Sequence, residues 1–358
     1  MLNTLSLTGF RGFQQFELSQ LGQVNLIVGE NNSGKTSILE AIQLLGSHSK
    51  LDTLTALMMN RGEYLVRNNF SHDGELDICH LFNGHQLDIG QHFKILGSQD
   101  NHLNFFEVTI KREELETAKT LQSEGIFNVC WSSPEAENIK IPLSPENGLP
   151  LTSIPHRRRH LSTNHSKTQF IKTSSLTSQA MMALFDNVVL TPDETLLTEA
   201  LRTIEPNLER IASVSSERII AESGLSHQGF VARLSNSKQR VPIGSLGDGI
   251  WRMLGLTLAI ANAKDGILLV DEIDTGLHFT TMSDMWRLIW DAAKRLNVQV
   301  FATTHNSDCW QSLAAIANSE HPSPEGITIQ RIEKDKPQSV LFTERQVAIA
   351  VERGIEVR

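Results

Sequence analysis

Nine consecutive residues bring together the types needed to hold a chain of phosphates: Gly29, Glu30, Asn31, Asn32, Ser33, Gly34, Lys35, Thr36 and Ser37. The two glycines tolerate backbone angles that turn successive N–H groups inward, so the loop itself becomes an anion cradle. Lys35 adds a point charge between the phosphates, and the Thr36 hydroxyl suits an oxygen-coordinated cation such as Mg²⁺. The chemistry implied is binding of a nucleoside triphosphate. Such a loop works only when a strand delivers it and a helix leaves it. Val24 to Val28 reads as a short buried strand, and Thr36 to Leu45 reads as a helix with Ile38, Leu39, Ala41, Ile42 and Leu45 on one face. The positive end of that helix then faces the phosphates.

A second group of residues could complete hydrolysis. The apolar run Ile267 to Val270 ends in Asp271 and Glu272, adjacent carboxylates at the end of a buried strand. Asp271 would hold Mg²⁺, directly or through water, and Glu272 would orient or deprotonate the attacking water. A further apolar strand, Val298 to Thr304, ends at His305, one helical crossover (Thr280 to Leu296) beyond Glu272. A parallel arrangement places both at one sheet edge, converging with the phosphate loop on one crevice. Ser245, Leu246, Gly247, Asp248 and Gly249 precede the apolar helix Trp251 to Ala263. They offer a serine hydroxyl and backbone N–H groups at a helix N-terminus, an anion site. Arg11, in the turn Gly9 to Phe13, either reaches the nucleotide or is a plain surface arginine.

Length and composition fit this reading. The chain has 358 residues, is 40% hydrophobic and has a formal net charge of −9, so it can bury a sizeable core as one large domain or two smaller ones. No run approaches a membrane span, and Met1 to Thr4 carries no basic-then-apolar leader, so a cytoplasmic protein that makes no membrane contact is expected. Cys79, Cys130 and Cys309 are few, distant and odd in number, which suggests inert thiols rather than a disulfide framework or zinc cluster. The acidic total gives no support to a nucleic-acid surface, although a local basic groove is compatible with it.

In chain order, Leu2 to Leu7 and Phe13 to Leu21 read as paired strands, and residues 74 to 111 read as short antiparallel strands. Residues 134 to 178, rich in Pro, Ser, Thr, His and Lys, read as a long surface excursion carrying the basic cluster His156 to His160. Thr191, Pro192, Asp193 and Glu194 have the form of a helix start, with threonine as cap and proline in the first helical position. That helix runs through Leu201, and Leu208 to Ile211 continues a helical lobe. Phe230 to Leu234 and Ile327 to Ile332 read as strands, Phe342 and Thr343 as part of another, and a last helix ends near Arg358. Met282, Trp286 and Trp290, four apart, belong to the core, and His278 to the loop after the carboxylates.

Together these motifs resemble the ABC-type ATPase heads of the RecF, SMC and OLD group. The residues that carry the resemblance are Phe10-Arg11-Gly12-Phe13, the phosphate loop, Ser245 to Gly249, Asp271-Glu272, Asp274-Thr275-Gly276-Leu277-His278 and Thr304-His305. The segment Ser245 to Gly249 and the tail are most similar to the stand-alone AAA-type ATPases related to OLD proteins.

The resemblance implies an α/β P-loop ABC-type ATPase head with a central mostly parallel sheet and an antiparallel β layer. Residues 1–47 and 225–358 would form this head, and 48–224 an inserted β-rich and helical lobe. It implies Mg·ATP hydrolysis and a homodimer, in which Gly29 to Thr36 of one chain faces Ser245 to Gly249 of the other across each ATP. Many such relatives act with a nuclease or toxin partner in defence against phage, which makes an effector protein in trans the expected partner. A DNA-binding repair factor resembling RecF is the alternative. Two departures limit the transfer: the stretch after His305 is too short for the Toprim nuclease domain of OLD nucleases, and no motif selects between Gln86 and Gln91 as the glutamine that senses the γ-phosphate.

Overall fold

The computed structural model describes residues 1–47, 50–65, 74–99, 102–114, 123–133, 135–155, 167–174, 176–214, 229–317 and 326–357. The cluster His156 to His160 lies outside them. The chain forms two compact units, one of Met1–Leu21, Asn31–Ser166 and Ile332–Val340, the other of Gly22–Glu30, Lys167–Arg331 and Leu341–Arg358. These boundaries differ from a division after residues 47 and 224, because the phosphate loop itself passes from one unit to the other.

The first unit is built on a six-stranded antiparallel sheet. Its strands are β1 (Leu2–Phe10), β2 (Phe13–Leu18), β6 (His92–Gln99), β7 (His102–Glu114), β8 (Ser123–Ser133) and β9 (Glu135–Pro142), in the order β2-β1-β6-β7-β8-β9. Alternation does the work over most of β2: Phe16 and Leu18 are buried while Gln15 and Glu17 are exposed, as expected for a sheet covered on one face. Helices α1 (Lys35–Gly46) and α2 (Lys50–Arg61) belong to this unit, with a small sheet of β4 (Tyr64–Leu65), β5 (Glu75–Leu76) and β10 (Leu149–Pro150). Strand β2 stops at Leu18 rather than Leu21, since Gln20 takes a left-handed conformation and Leu21 N–H returns to Asn3 O.

The second unit holds the mixed, largely parallel sheet. Its order is β11 (Thr168–Ile171), β15 (Ile267–Val270), β16 (Gln299–Thr303), β3 (Val24–Gly29), β17 (Ile327–Ile332) and β18 (Val340–Thr343). The contacts β11/β15, β15/β16 and β16/β3 are parallel. Every residue of β3 is buried, which explains its mostly apolar sequence, since both faces of a parallel strand are covered; the one polar residue, Asn25, is hydrogen-bonded to Gly22 O, Val300 O and Thr328 Oγ1. Helices α3 (Ser178–Asp186), α4 (Glu194–Arg202), α5 (Asp248–Asn262), α6 (Phe279–Leu296), α7 (Ser307–Ala317) and α8 (Glu344–Glu352) accompany it. Helix α5 is apolar nearly all round because it is buried from Ile250 to Ala261, Arg252 and Thr257 being its buried polar exceptions. Met282, Trp286 and Trp290 are core, as expected, and Trp286 Nε1 donates to Cys309 O at 2.9 Å.

Four local expectations are corrected. Leu208 to Ile211 is not helical but part of β12 (Leu208–Ser213), paired with β13 (Phe230–Leu234), which pairs in turn with β14 (Val241–Pro242). A bulge between Leu208 and Arg210 resets the alternation, so the buried residues fall three apart and imitate a helix. Helix α4 begins at Glu194 rather than at Pro192, which lies in the turn before it; in that turn Thr191 Oγ1 accepts the Asp193 N–H at 3.3 Å and donates to Val188 O, and the Glu194 carboxylate accepts from Leu190 N–H. The stretch 134 to 178 is more than a surface excursion: it contributes β9, β10 and β11, the last an edge of the parallel sheet. The final helix ends at Glu352, not near Arg358.

Candidate active site

The parallel register of the second unit brings the reactive strand ends together. Val270 is level with Ala302, and Thr303 with Ile27, so Asp271, Thr304 and Gly29 leave one edge of one sheet. Thr304 N–H donates to Ile27 O, and Asp271 N–H to Ile171 O. That edge is where open α/β sheets bind ligands.

Hydroxyls hold the Asp271 carboxylate. Thr303 Oγ1 donates to Oδ1 at 2.7 Å and Thr173 Oγ1 to Oδ2 at 3.3 Å. The same Thr303 oxygen accepts the Glu272 N–H at 2.8 Å, tying the two acidic residues to the neighbouring strand. Glu272 lies in the left-handed region at φ 46, an uncommon conformation for such a residue, which turns its side chain out of the strand path. His305 Nδ1 lies 3.6 Å from Glu272 Oε1, with the two side chains 51% and 35% exposed. Thr304 Oγ1 donates to Asp274 Oδ1 at 2.6 Å, fixing the loop after the carboxylates, and His278 caps α6 with its ring beside Thr280.

Arg252 is a member of this site that sequence reasoning missed. It is buried, and its guanidinium donates to the backbone oxygens of Asp271 and Glu272 at 3.2 and 2.9 Å and of Lys172 at 3.2 Å. Burial lowers its pKa to about 10, while Asp274, Asp271 and Glu272 oppose that loss. The available signal was a single arginine inside the otherwise apolar stretch Ile250 to Leu254. Arg252 lies in the first half of α5, whose start is set by Gly247 at φ 95. Ser245 belongs to the preceding 3-10 turn, Asp248 opens the helix, and Gly249 approaches Gly276 O, so the segment Ser245 to Gly249 and the loop after the carboxylates meet within this unit.

The phosphate loop runs from Gly29 and Glu30 in this unit to Asn31 through Ser37 in the other. Asn32 is at φ 60 and Gly34 at φ 94. A Cβ on Gly34 would come within 2.4 Å of the Phe13 ring, so only glycine serves there. Lys35 and Thr36 open α1, and the Ser33 hydroxyl is buried without a hydrogen-bond partner in the structure. An orphaned buried hydroxyl inside an inward-turned loop suits a phosphate oxygen. The oriented oxygens of Asp271 are hard donors that suit Mg²⁺.

Arg11 is not the plain surface arginine that one sequence reading made it. It is 5% exposed and paired with Glu63 at 2.6 Å and Glu40 of α1 at 2.7 Å, while Arg61 takes the other Glu40 oxygen at 2.7 Å. Arg11 borders a cavity of about 1310 Å³ in the first unit, whose wall also includes Asn32, Ser33, Gly34 and Ser37. That volume is ample for a nucleotide-sized ligand. Neither Gln86 nor Gln91 lines it; Gln91 accepts the Ile110 N–H in the turn before β6. Among the thiols only Cys309 is fully buried, and no described helix is long and apolar enough to cross a membrane.

Comparison with known proteins agrees with this geometry. Residues 24–308 match the family described as "AAA domain, putative AbiEii toxin, Type IV TA system". The chain is 22% identical over 331 residues to an ATP/GTP phosphatase of Helicobacter pylori, covering 86% of each chain. It is 29% identical over 141 residues to the DNA replication and repair protein RecF of Clostridioides difficile, covering 37% of this chain and 32% of that one. Its fold is similar to a solved Smc head bound to the C-winged helix domain of ScpA, with a TM-score of 0.50, 13% identity and coverage of 96% and 97% of the two chains.

Proposed function

The chain belongs to the family of AAA domains described as putative AbiEii toxin, Type IV TA system, and from that premise we propose that it is a Mg²⁺-dependent ATPase acting as a dimeric switch on a separate effector protein. The observation that carries the ATPase reading is the Asp271, Glu272 and His305 cluster at the sheet edge from which Gly29 enters the phosphate loop.

Lys35 and the inward N–H groups of Gly29 to Thr36 bind the phosphates. Thr36 and Asp271 would hold Mg²⁺, which would neutralise charge on the phosphate oxygens. Glu272 accepts a proton from the water that attacks the γ-phosphorus, and His305 stabilises the charge that develops. The products are ADP and inorganic phosphate. Glu272 and His305 are substantially exposed, and the turn Ser245 to Gly249 presents an anion site from a chain that has one phosphate loop. Both features support a closed homodimer in which each ATP is completed by the partner's signature turn. ATP bridging both chains favours the closed state, and hydrolysis releases it.

The test is affinity capture on tagged Glu272→Gln protein in Mg·ATP from its own host, with and without nuclease treatment. Nuclease-insensitive recovery of a nuclease-like or toxin-like protein is expected. Recovery only of replication and repair proteins that vanish with nuclease would overturn the effector reading in favour of DNA as the ligand.

A further inference from the structure

The 3-10 turn Ile78–Leu81 and the loop after it gather donors of the kind that bind transition metals. One ligand atom each from Asp77, Cys79 and His80 lies within 4.8 Å of the others, the one such group among the described residues. His85 adds a second imidazole, its Nδ1 3.3 Å from Nδ1 of His80. Two neutral rings can share a proton at that separation. It is also the separation of two nitrogens on one tetrahedral ion, since bonds of about 2.0–2.1 Å at the tetrahedral angle give an edge of about 3.3–3.4 Å.

Asp77 uses both oxygens on its neighbours. Oδ1 accepts the Cys79 N–H at 3.3 Å, and Oδ2 lies 3.4 Å from His80 Nε2, the ring nitrogen remote from His85. A carboxylate on the far nitrogen is the usual way a ligating histidine is oriented. The chain bends to make this meeting. Gly84 at φ 84 and His85 at φ 55 fold the loop back, and Asn83 anchors it by donating from N to Gly9 O and from Nδ2 to Arg11 O. Capping of the turn accounts for Asp77 and the Cys79 N–H. It does not account for the two facing Nδ1 atoms, nor for a cysteine sulfur within 4.8 Å of a His80 ring nitrogen.

We propose that Cys79, His80 and His85 bind a zinc-type divalent cation, through sulfur and the two Nδ1 atoms, with Asp77 fixing His80. Three protein ligands leave a fourth position open to water or a ligand, and His80 and His85 both line the cavity bordered by Arg11 and Asn32 to Gly34. Thiolate and imidazole select zinc or cobalt over magnesium, so this site is chemically distinct from Asp271 and Thr36. It stands whether or not the chain hydrolyses ATP.

The experiment is a Co²⁺ titration of the untagged, metal-stripped full chain without nucleotide, followed by absorbance. One equivalent should give tetrahedral d–d bands with a thiolate-to-cobalt charge-transfer band. Cys79→Ser should abolish the charge-transfer band, His85→Gln should weaken affinity at least about tenfold, and Cys130→Ser should leave both unchanged. Absence of a stoichiometric spectrum, or its persistence in Cys79→Ser, would overturn the proposal. A measurement on the wild-type chain guards against variants that fail to fold: Zn²⁺ should slow alkylation of Cys79, read by mass spectrometry of its peptide. Equal alkylation with and without Zn²⁺ would also overturn it.

Discussion

Two charged clusters stand in instructive contrast. At the sheet edge of the second unit, Asp271 and Glu272 leave a buried strand side by side, and their supports, Thr303 and Thr304, leave the adjacent strand. In the first unit Arg11, Glu40, Glu63 and Arg61 come from a hairpin turn, the phosphate-loop helix, the chain between α2 and β4 and the end of α2. The first cluster leaves its ionisable tips partly open, as a reacting group requires. The second closes its charges on one another. Buried ion pairs are costly to break and contribute little on balance, so this cluster acts as a lock under the phosphate loop, joining α1 to the β1–β2 turn. Chemistry and architecture thus use the same residue types and differ in exposure.

Substitutions can break that contrast. The largest effect is expected for Glu272→Gln: the rate of ATP turnover should fall by on the order of 10² to 10⁴ while Mg·ATP binding persists. A turnover within tenfold of the parent chain would show that Glu272 does not handle the proton. Glu40→Gln should behave in the opposite way, lowering stability by about 3 kcal/mol because the Arg11 guanidinium loses a buried partner. Denaturant unfolding reads this directly, and an unchanged midpoint would remove the lock.

Thr303→Val probes the connection within the sheet-edge cluster. It deletes the hydroxyl shared by Asp271 Oδ1 and Glu272 N–H, and the expected loss of about 1–2 kcal/mol should appear as a raised Mg²⁺ requirement in turnover assays. Unchanged Mg²⁺ dependence would mean that Asp271 needs no such support.

The smallest effect concerns Lys50, another buried charge of the first unit. Its ammonium bonds the Leu44 and Leu45 oxygens, and burial lowers its pKa to about 8. The unfolded chain therefore holds this proton to higher pH than the folded one. Its burial penalty applies fully below pH about 8 and is relieved as pH rises towards the unfolded value of 10.5. Stability measured from pH 8 upward should carry a positive contribution that Lys50→Met removes; identical pH profiles would contradict it.

What the sequence made legible follows from range. The phosphate loop, the strand ending in Asp271 and Glu272, and the crossover to His305 are local patterns with strong periodicity, and each appears where expected. The six-stranded antiparallel sheet was visible only as short alternating runs, because strand pairing is not written in any one segment. Leu208 to Ile211 misled because a bulge copies helical spacing. Strand β11 was hidden in a stretch whose polar composition outweighed Thr168 to Ile171. Arg11 and Arg252 were unreadable for a common reason: their partners are 52 and 20 residues away, and nothing local distinguishes a buried arginine from an exposed one.

In the proposed switch two chains close on ATP. Sedimentation velocity of Glu272→Gln protein, with and without saturating Mg·ATP, tests it most directly. A monomer that becomes a dimer with nucleotide is expected, and a Gly247→Trp change in the same background should abolish the dimer while ATP still binds. A Glu272→Gln chain that remains monomeric at saturating Mg·ATP, or a dimer indifferent to both nucleotide and Gly247, would contradict it.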